Sequence, residues 1–252
     1  MARPPYWLVM PAAGRGTRLG ADLPKQYLML VGRSMLEWSV QPFLADADCR
    51  GLVVALAPDD THWPRIRSRL SRVPIEAEGG AERADSVRAA LQRLRASGVG
   101  DDEWVLVHDA ARPCVSAVEI DALLQAVDSV AERDGRLAGG LLALPMTDTL
   151  KRQRRGAGAI ASQETVAREG LWRALTPQMF RLGALLAALD AAVAAGRRPT
   201  DEAQAMEWQG AAPLLVAGES TNLKVTTGHD IALAERILAT REAMTSSSGE
   251  SS

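Results

Sequence analysis

The residues best suited to chemistry lie near the start of the chain, where Ala12-Ala13-Gly14-Arg15-Gly16-Thr17-Arg18 directly follows an apolar run and Pro24-Lys25-Gln26 stands seven residues on. Gly14 and Gly16 allow backbone conformations closed to other residues, so successive N–H groups can face phosphate oxygens with no side chain between. Arg18 offers a planar fork to those oxygens and Lys25 a mobile point charge. The chemistry this set suits is the holding of a polyphosphate and the neutralising of charge that builds at a reacting phosphorus. Spacing sets it apart from two commoner phosphate loops. In GxGxxG the third glycine would fall one residue before Gly20, and Glu37 is the only acidic residue near the ribose-binding position; GxxxxGK fails because no glycine precedes Lys25. Taken alone, the loop could also be a surface turn with two solvated cations.

Further groups follow in order. Gly79-Gly80 precedes Asp85 and Ser86 and then a helical pattern; Asp85 or Ser86 can cap that helix, while the double glycine would let backbone approach a flat group such as a base. Val107-His108-Asp109-Ala110-Ala111-Arg112 ends a short apolar run, so Asp109 can meet a metal ion or a hydroxyl and Arg112 a phosphate, or the two can pair across a turn. His108 reads as packed structure. Thr149, Arg168, Thr176, the acidic stretch at Thr200-Asp201-Glu202, and Lys224 before Val-Thr complete the set. Thr200 to Glu202 reads equally as a helix start with acidic residues near its positive end, or as a nucleotide or metal contact.

The elements that must position these residues show in the apolar pattern. Short runs at Trp7 to Met10, Leu52 to Ala57, Val105 to Val107, Gly140 to Leu144 and Leu214 to Ala217 read as buried strands. Helical periodicity appears at Met35 to Leu44, Ser86 to Leu94, Val118 to Val130, Leu182 to Val193 and Ile231 to Leu238. Alternation of this kind predicts an α/β fold, Rossmann-like, with a mostly parallel sheet covered by helices on both faces. The glycine loop then sits at the carboxyl edge of the first strand, where open sheets bind ligands. Residues 1–244 are expected to form one domain; a polar stretch at about 148–170 breaks the rhythm and reads as an exposed arm, and the tail 245–252 has nothing to bury and is expected to be disordered.

Composition limits the rest. The chain has 252 residues, 47% of them hydrophobic, which is ample for a core. A net charge of −2 without a basic stripe argues against a nucleic-acid partner. Cys49 and Cys114 form no CxxC pair, which fits a reducing cytoplasm; three scattered histidines suggest no metal cluster, and no apolar run suits a signal peptide or a membrane span.

Read in order, AAGRGTR, PKQY, GGAERADSV, VHDAARP, TDT, ALTPQ, TDEA and NLKVT resemble the 2-C-methyl-D-erythritol 4-phosphate cytidylyltransferase family over about residues 8 to 240. The resemblance implies condensation of CTP with 2-C-methyl-D-erythritol 4-phosphate, a sugar-alcohol phosphate, with Mg²⁺ on the triphosphate and no metal ligand assigned. It implies that Ala12, Ala13, Gly14, Gly16, Gly80, Ser86, Ala110 and Thr200 surround the nucleotide. Arg18, Lys25, Arg168 and Lys224 would serve catalysis. Asp109, Arg112, Thr149, Arg168 and Thr176 would receive the acceptor, Thr149 and Arg168 through an arm exchanged in a homodimer. Ala81 stands where the family often carries an acidic residue, Ala167 where an Asp is common, and Gln153 to Gly158 lengthens the arm. Ribitol-5-phosphate cytidylyltransferases share this framework. A nucleotide-binding regulatory protein without turnover and a dehydrogenase are the rivals from other classes.

Overall fold

The first strand, β1 (Tyr6–Pro11), is apolar along nearly its whole length, as a strand covered on both faces must be. In the computed structural model, which describes residues 3–14, 23–131, 138–156 and 160–249, it lies inside a seven-stranded sheet. A small ribbon of β2 (Met29–Leu30) and β3 (Arg33–Ser34) leads into α1 (Met35–Leu44). The sheet continues with β4 (Cys49–Leu56), β5 (Ile75–Glu78), β6 (Trp104–Val107) and β7 (Gly139–Pro145). A hairpin of β8 (Leu150–Gln153) and β9 (Ser162–Val166) precedes β10 (Trp172–Arg181), and β11 (Leu214–Ala217) closes the set. The sheet order is β11-β7-β10-β6-β1-β4-β5, with β8 and β9 forming a separate two-stranded sheet. Every neighbouring pair in the large sheet is parallel except the two made by β10, which is antiparallel to β6 and β7.

Helices α2 (Trp63–Arg67), α3 (Arg83–Ala96), α4 (Ala117–Ala131), α5 (Leu182–Ala194), α6 (Glu202–Glu207) and α7 (Gly228–Gly249) complete the fold. Alternation along β1 divides the core. Tyr6, Leu8 and Met10 pack with Leu36, Val40 and Phe43 of α1 and Ile120, Leu123 and Leu124 of α4. Val9, with Val53, Val105 and Val107, packs on the other face with Val87, Leu91 and Leu94 of α3 and Leu182 and Leu185 of α5. The mostly parallel sheet with helices on both faces is the architecture expected from the sequence. Among the described residues, no helix is long and apolar enough to cross a membrane.

Three local expectations need correction. Neither Asp85 nor Ser86 caps α3: the helix starts at Arg83 with Glu82 as its cap, and the Glu82 N–H donates to Asp85 Oδ2 at 3.1 Å. Strand β10 is absent from the sequence pattern because its first three residues, Trp172 to Ala174, are exposed and Pro177 interrupts the remainder. The register with β7 breaks between Ala174 and Gln178, around the cis peptide Thr176–Pro177. Helix α7 runs to Gly249, into the stretch expected to lack structure, since helical backbone bonds close locally and need no burial; residues 250–252 lie outside the described residues.

Candidate active site

Backbone bonds continue the parallel ladder past the strand ends. Ala12 N–H reaches Ala55 O at 2.8 Å, Gly79 N–H reaches Leu56 O at 2.7 Å and His108 N–H reaches Val9 O at 3.0 Å. The loops after β1, β5 and β6 therefore stand side by side at the carboxyl edge, around a cavity of about 540 Å³. Ala12, Ala13 and Gly14 form one wall, Gly80 to Arg83 and Ser86 another, and Asp109 to Ala111 the floor, with Lys25 and Lys224 also on the lining. The Gln26 amide donates to Ala12 O at 2.7 Å and ties the turn bearing Lys25 to the loop. Gly79 owes its identity to packing: a Cβ there would lie 2.4 Å from the Ala13 Cβ. Gly79 thus lets two walls of the cavity approach each other, while a Cβ at Gly80 would instead meet the Asp85 Cβ at 2.3 Å. The Ser86 hydroxyl accepts from Gly80 N–H at 3.2 Å and fixes the second wall.

Asp109 is the electrostatic centre. Its Oδ1 accepts from Arg83 Nε at 2.7 Å and its Oδ2 lies 2.7 Å from Lys224 Nζ. Burial pushes the Asp109 carboxyl up, but the two cations and their hydrogen bonds outweigh it and hold the group well below the usual carboxylate range. Arg83 binds the buried Glu202 with its remaining nitrogens at 2.6 and 3.0 Å. Below the floor, Asp109 N–H donates to Thr176 Oγ1 at 3.1 Å, that hydroxyl meets His108 Nδ1 at 3.0 Å, and His108 Nε2 lies 3.2 Å from Arg112 O. Burial pushes the His108 imidazole down to about 4, so it is neutral near pH 7.

Lys224 reaches the cavity because its segment is fastened from beneath. Asn222, fully buried, donates to Glu119 Oε1 at 3.1 Å and Thr176 O at 3.0 Å, and its own carbonyl accepts from Arg112 Nη1 at 2.7 Å. Val225 N–H then bonds Ala111 O at 2.8 Å.

The structure thus brings together Ala12, Ala13, Gly14, Lys25, Gly80, Ser86, Asp109, Ala110 and Lys224. Gly16 and Arg18 lie outside the described residues. Arg112 does not line the cavity: it is buried beneath the Lys224 segment, makes no ion pair with Asp109, and its Nε is buried without a partner. Thr176 is likewise enclosed, its hydroxyl engaged by Asp109 and His108. Thr200 lines a second cavity of about 590 Å³, between α3 and the α5–α6 connection. Thr149 and Arg168 are exposed on the arm, with Arg168 bonded to Thr147 O, away from the cavity of their own chain. Sequence reasoning does not single out Arg83, and it takes Glu202 only as part of an acidic stretch, although both lie inside the quoted motifs.

Fold and cavity define an α/β nucleotidyltransferase. Residues 6–240 match the family model described as 2-C-methyl-D-erythritol 4-phosphate cytidylyltransferase. A relative of that name from Pseudomonas fluorescens (strain SBW25) is 51% identical over 228 residues, covering 90% of this chain and 93% of its own. A crystal structure of 4-diphosphocytidyl-2C-methyl-D-erythritol synthase is similar with a TM-score of 0.79 at 33% identity, covering 94% of this chain and 100% of that one. The Francisella tularensis 2-C-methyl-D-erythritol 4-phosphate cytidylyltransferase gives a TM-score of 0.77 at 31% identity, with 92% and 99% covered. This chain belongs to the 2-C-methyl-D-erythritol 4-phosphate cytidylyltransferase family.

Proposed function

We propose that this chain joins CTP to 2-C-methyl-D-erythritol 4-phosphate, giving 4-diphosphocytidyl-2-C-methyl-D-erythritol and pyrophosphate. The observation that carries the reading is the cavity at the sheet's carboxyl edge, where Ala12 to Gly14 share one lining with Lys25 and Lys224. A phosphate oxygen of the acceptor attacks the α-phosphorus of CTP, the bond to the bridging oxygen breaks, and pyrophosphate departs with that electron pair. The attacking phosphate is already anionic near neutral pH, so no protein base is needed. Backbone N–H groups at Ala13 and Gly14 cradle the phosphates, while Ala12 N–H stays in the sheet ladder, and Lys25, Lys224 and Arg18 offset charge at the reacting phosphorus. Asp109, kept ionised, can accept from an acceptor hydroxyl.

The donor set bears on the metal. Among the described residues no three His, Cys, Asp or Glu side chains gather to hold an ion, and the buried carboxylate on the lining, Asp109, has both oxygens committed to cations. That set fits a Mg²⁺ carried by the triphosphate's own oxygens, as this hard, hydrated ion commonly is; when bound it would make pyrophosphate a better leaving group. The exposed placement of Thr149 and Arg168 supports a homodimer in which the arm of one protomer completes the acceptor site of its partner. Both cysteines are unpaired and buried, in keeping with a reducing cytoplasm.

Pyrophosphate release from CTP, Mg²⁺ and methylerythritol phosphate tests the reading. No release while an active relative works alongside rejects it, and faster release with ribitol 5-phosphate reassigns the acceptor. Lys25→Ala should lower turnover by about two orders of magnitude or more with the fold intact, as loss of an electrostatic stabiliser does; unchanged turnover removes Lys25 from the mechanism.

A further inference from the structure

Two charged residues of the GGAERADSV and TDEA motifs take no direct part in the transfer. Arg83 stands in the first turn of α3 and Glu202 opens α6, 119 positions apart in the chain. The fold brings them together. Arg83 Nη1 and Nη2 grip the two oxygens of Glu202 at 2.6 and 3.0 Å, which leaves Nε for Asp109 Oδ1 at 2.7 Å. All three guanidinium nitrogens are used, so the plane of the group is fixed by two carboxylates at once. The Glu202 side chain is 1% exposed, and its helix start is anchored to β10: Gln178 donates to Asp201 Oδ2 at 3.0 Å and accepts from Ala203 N–H at 2.8 Å.

From the interior to the cavity the charges alternate: Glu202, Arg83, Asp109, Lys224. We propose that Arg83, oriented by Glu202, is a positioning residue for cytidylyl transfer, holding the Asp109 carboxylate and through it the Lys224 ammonium where the acceptor must dock. A bare charge in place of the fork could not serve both carboxylates, so the geometry of the planar group, beyond its sign, sets the position of Asp109. Arg83 shares the cavity lining, but its three guanidinium nitrogens are all turned to carboxylates, and what the nucleotide meets on the walls is backbone at Ala13, Gly14 and Gly80. The two substrates should therefore respond differently when the row is disturbed.

The inference rests on the cytidylyltransferase reading, and wild-type pyrophosphate release in the same assay separates the failure of one from the failure of the other. Arg83→Lys keeps the charge and loses the fork; Glu202→Gln keeps the shape and loses the anchor's charge. Each should lower kcat/KM for methylerythritol phosphate by about a hundredfold, the usual consequence of a misplaced reacting group. Binding of CTP, followed by calorimetry, should stay within about threefold of wild type. Should Glu202→Gln fail to fold by circular dichroism, Arg83→Lys decides. Acceptor kcat/KM close to wild type, or CTP affinity falling in step with it, overturns the positioning role.

Discussion

His108 gives the clearest quantitative test of how the site is supported. A carbonyl only accepts, so Nε2 must carry the hydrogen shared with Arg112 O, and Nδ1 must accept from the Thr176 hydroxyl, whose oxygen in turn accepts from Asp109 N–H. A second proton on Nδ1 would face that hydroxyl and reverse its bond. Burial, which disfavours the charged ring, pushes the imidazole from its ordinary 6.5 to about 4. Because the folded value is the lower one, the unfolded chain binds more protons between about pH 6.5 and 4, and stability falls as pH falls through that window. From pH 7.5 to 5.0 the linkage comes to about 2 kcal/mol for this one group. Urea unfolding at both pH values, in wild type and in His108→Gln, isolates it. The variant should be less stable at pH 7.5, because Thr176 and the Arg112 carbonyl lose their partner, yet lose about 2 kcal/mol less than wild type on acidification. Parallel losses in the two proteins, within about 0.5 kcal/mol, would refute both the neutral tautomer and its place in the floor.

Two further outcomes are expected. Gly79→Ala sets a Cβ 2.4 Å from the Ala13 Cβ, where neither backbone can yield without moving a cavity wall; it should cost about 1–3 kcal/mol in thermal unfolding and weaken CTP binding in calorimetry. Replacing residues 152–163 by a two-residue turn removes most of a hairpin that stands apart from the main sheet, so sedimentation should shift from dimer to monomer and acceptor turnover should collapse while CTP still binds.

Much of the fold was legible because burial writes itself into the chain at short range. The runs around Val9, Val53, Val105 to Val107 and Leu141 are apolar on both faces, and a parallel sheet between helices is the arrangement that demands this. Strand β10 was not legible, since four of its ten residues are exposed and a proline stands among the buried ones. The same contrast holds in the site. Gly14, Gly80, Lys25, Asp109 and Lys224 follow strands or precede a strand-like pair, so their place at one edge could be argued from order alone. Glu37, the one acidic candidate for a ribose contact, instead accepts from Ser34 N–H at 2.7 Å and closes the cap of α1. Arg112 and Thr200 have suitable side chains but point beneath the floor and into a neighbouring cavity, a matter of orientation that spacing does not encode. The bond between Arg83 and Glu202 escaped because nothing local announces a pairing across 119 positions.

The charge around the cavity explains why the nucleotide needs more than these side chains. Among the described lining residues Lys25, Arg83 and Lys224 are cationic and Glu82 and Asp109 anionic, three against two, and the buried Glu202 behind Arg83 brings the sum to zero. A triphosphate bears several negative charges. Lys224 and Arg83 are partly consumed by Asp109, which leaves oriented backbone N–H groups a large share of the positive field at this edge. Arg15 and Arg18 follow Gly14 in the sequence, outside the described residues. An internally neutral row of charges beside a polar backbone cradle suits a reaction in which both substrates are anions: fixed dipoles offset the charge during transfer, and pyrophosphate can leave afterwards without parting from a dense cluster of fixed cations.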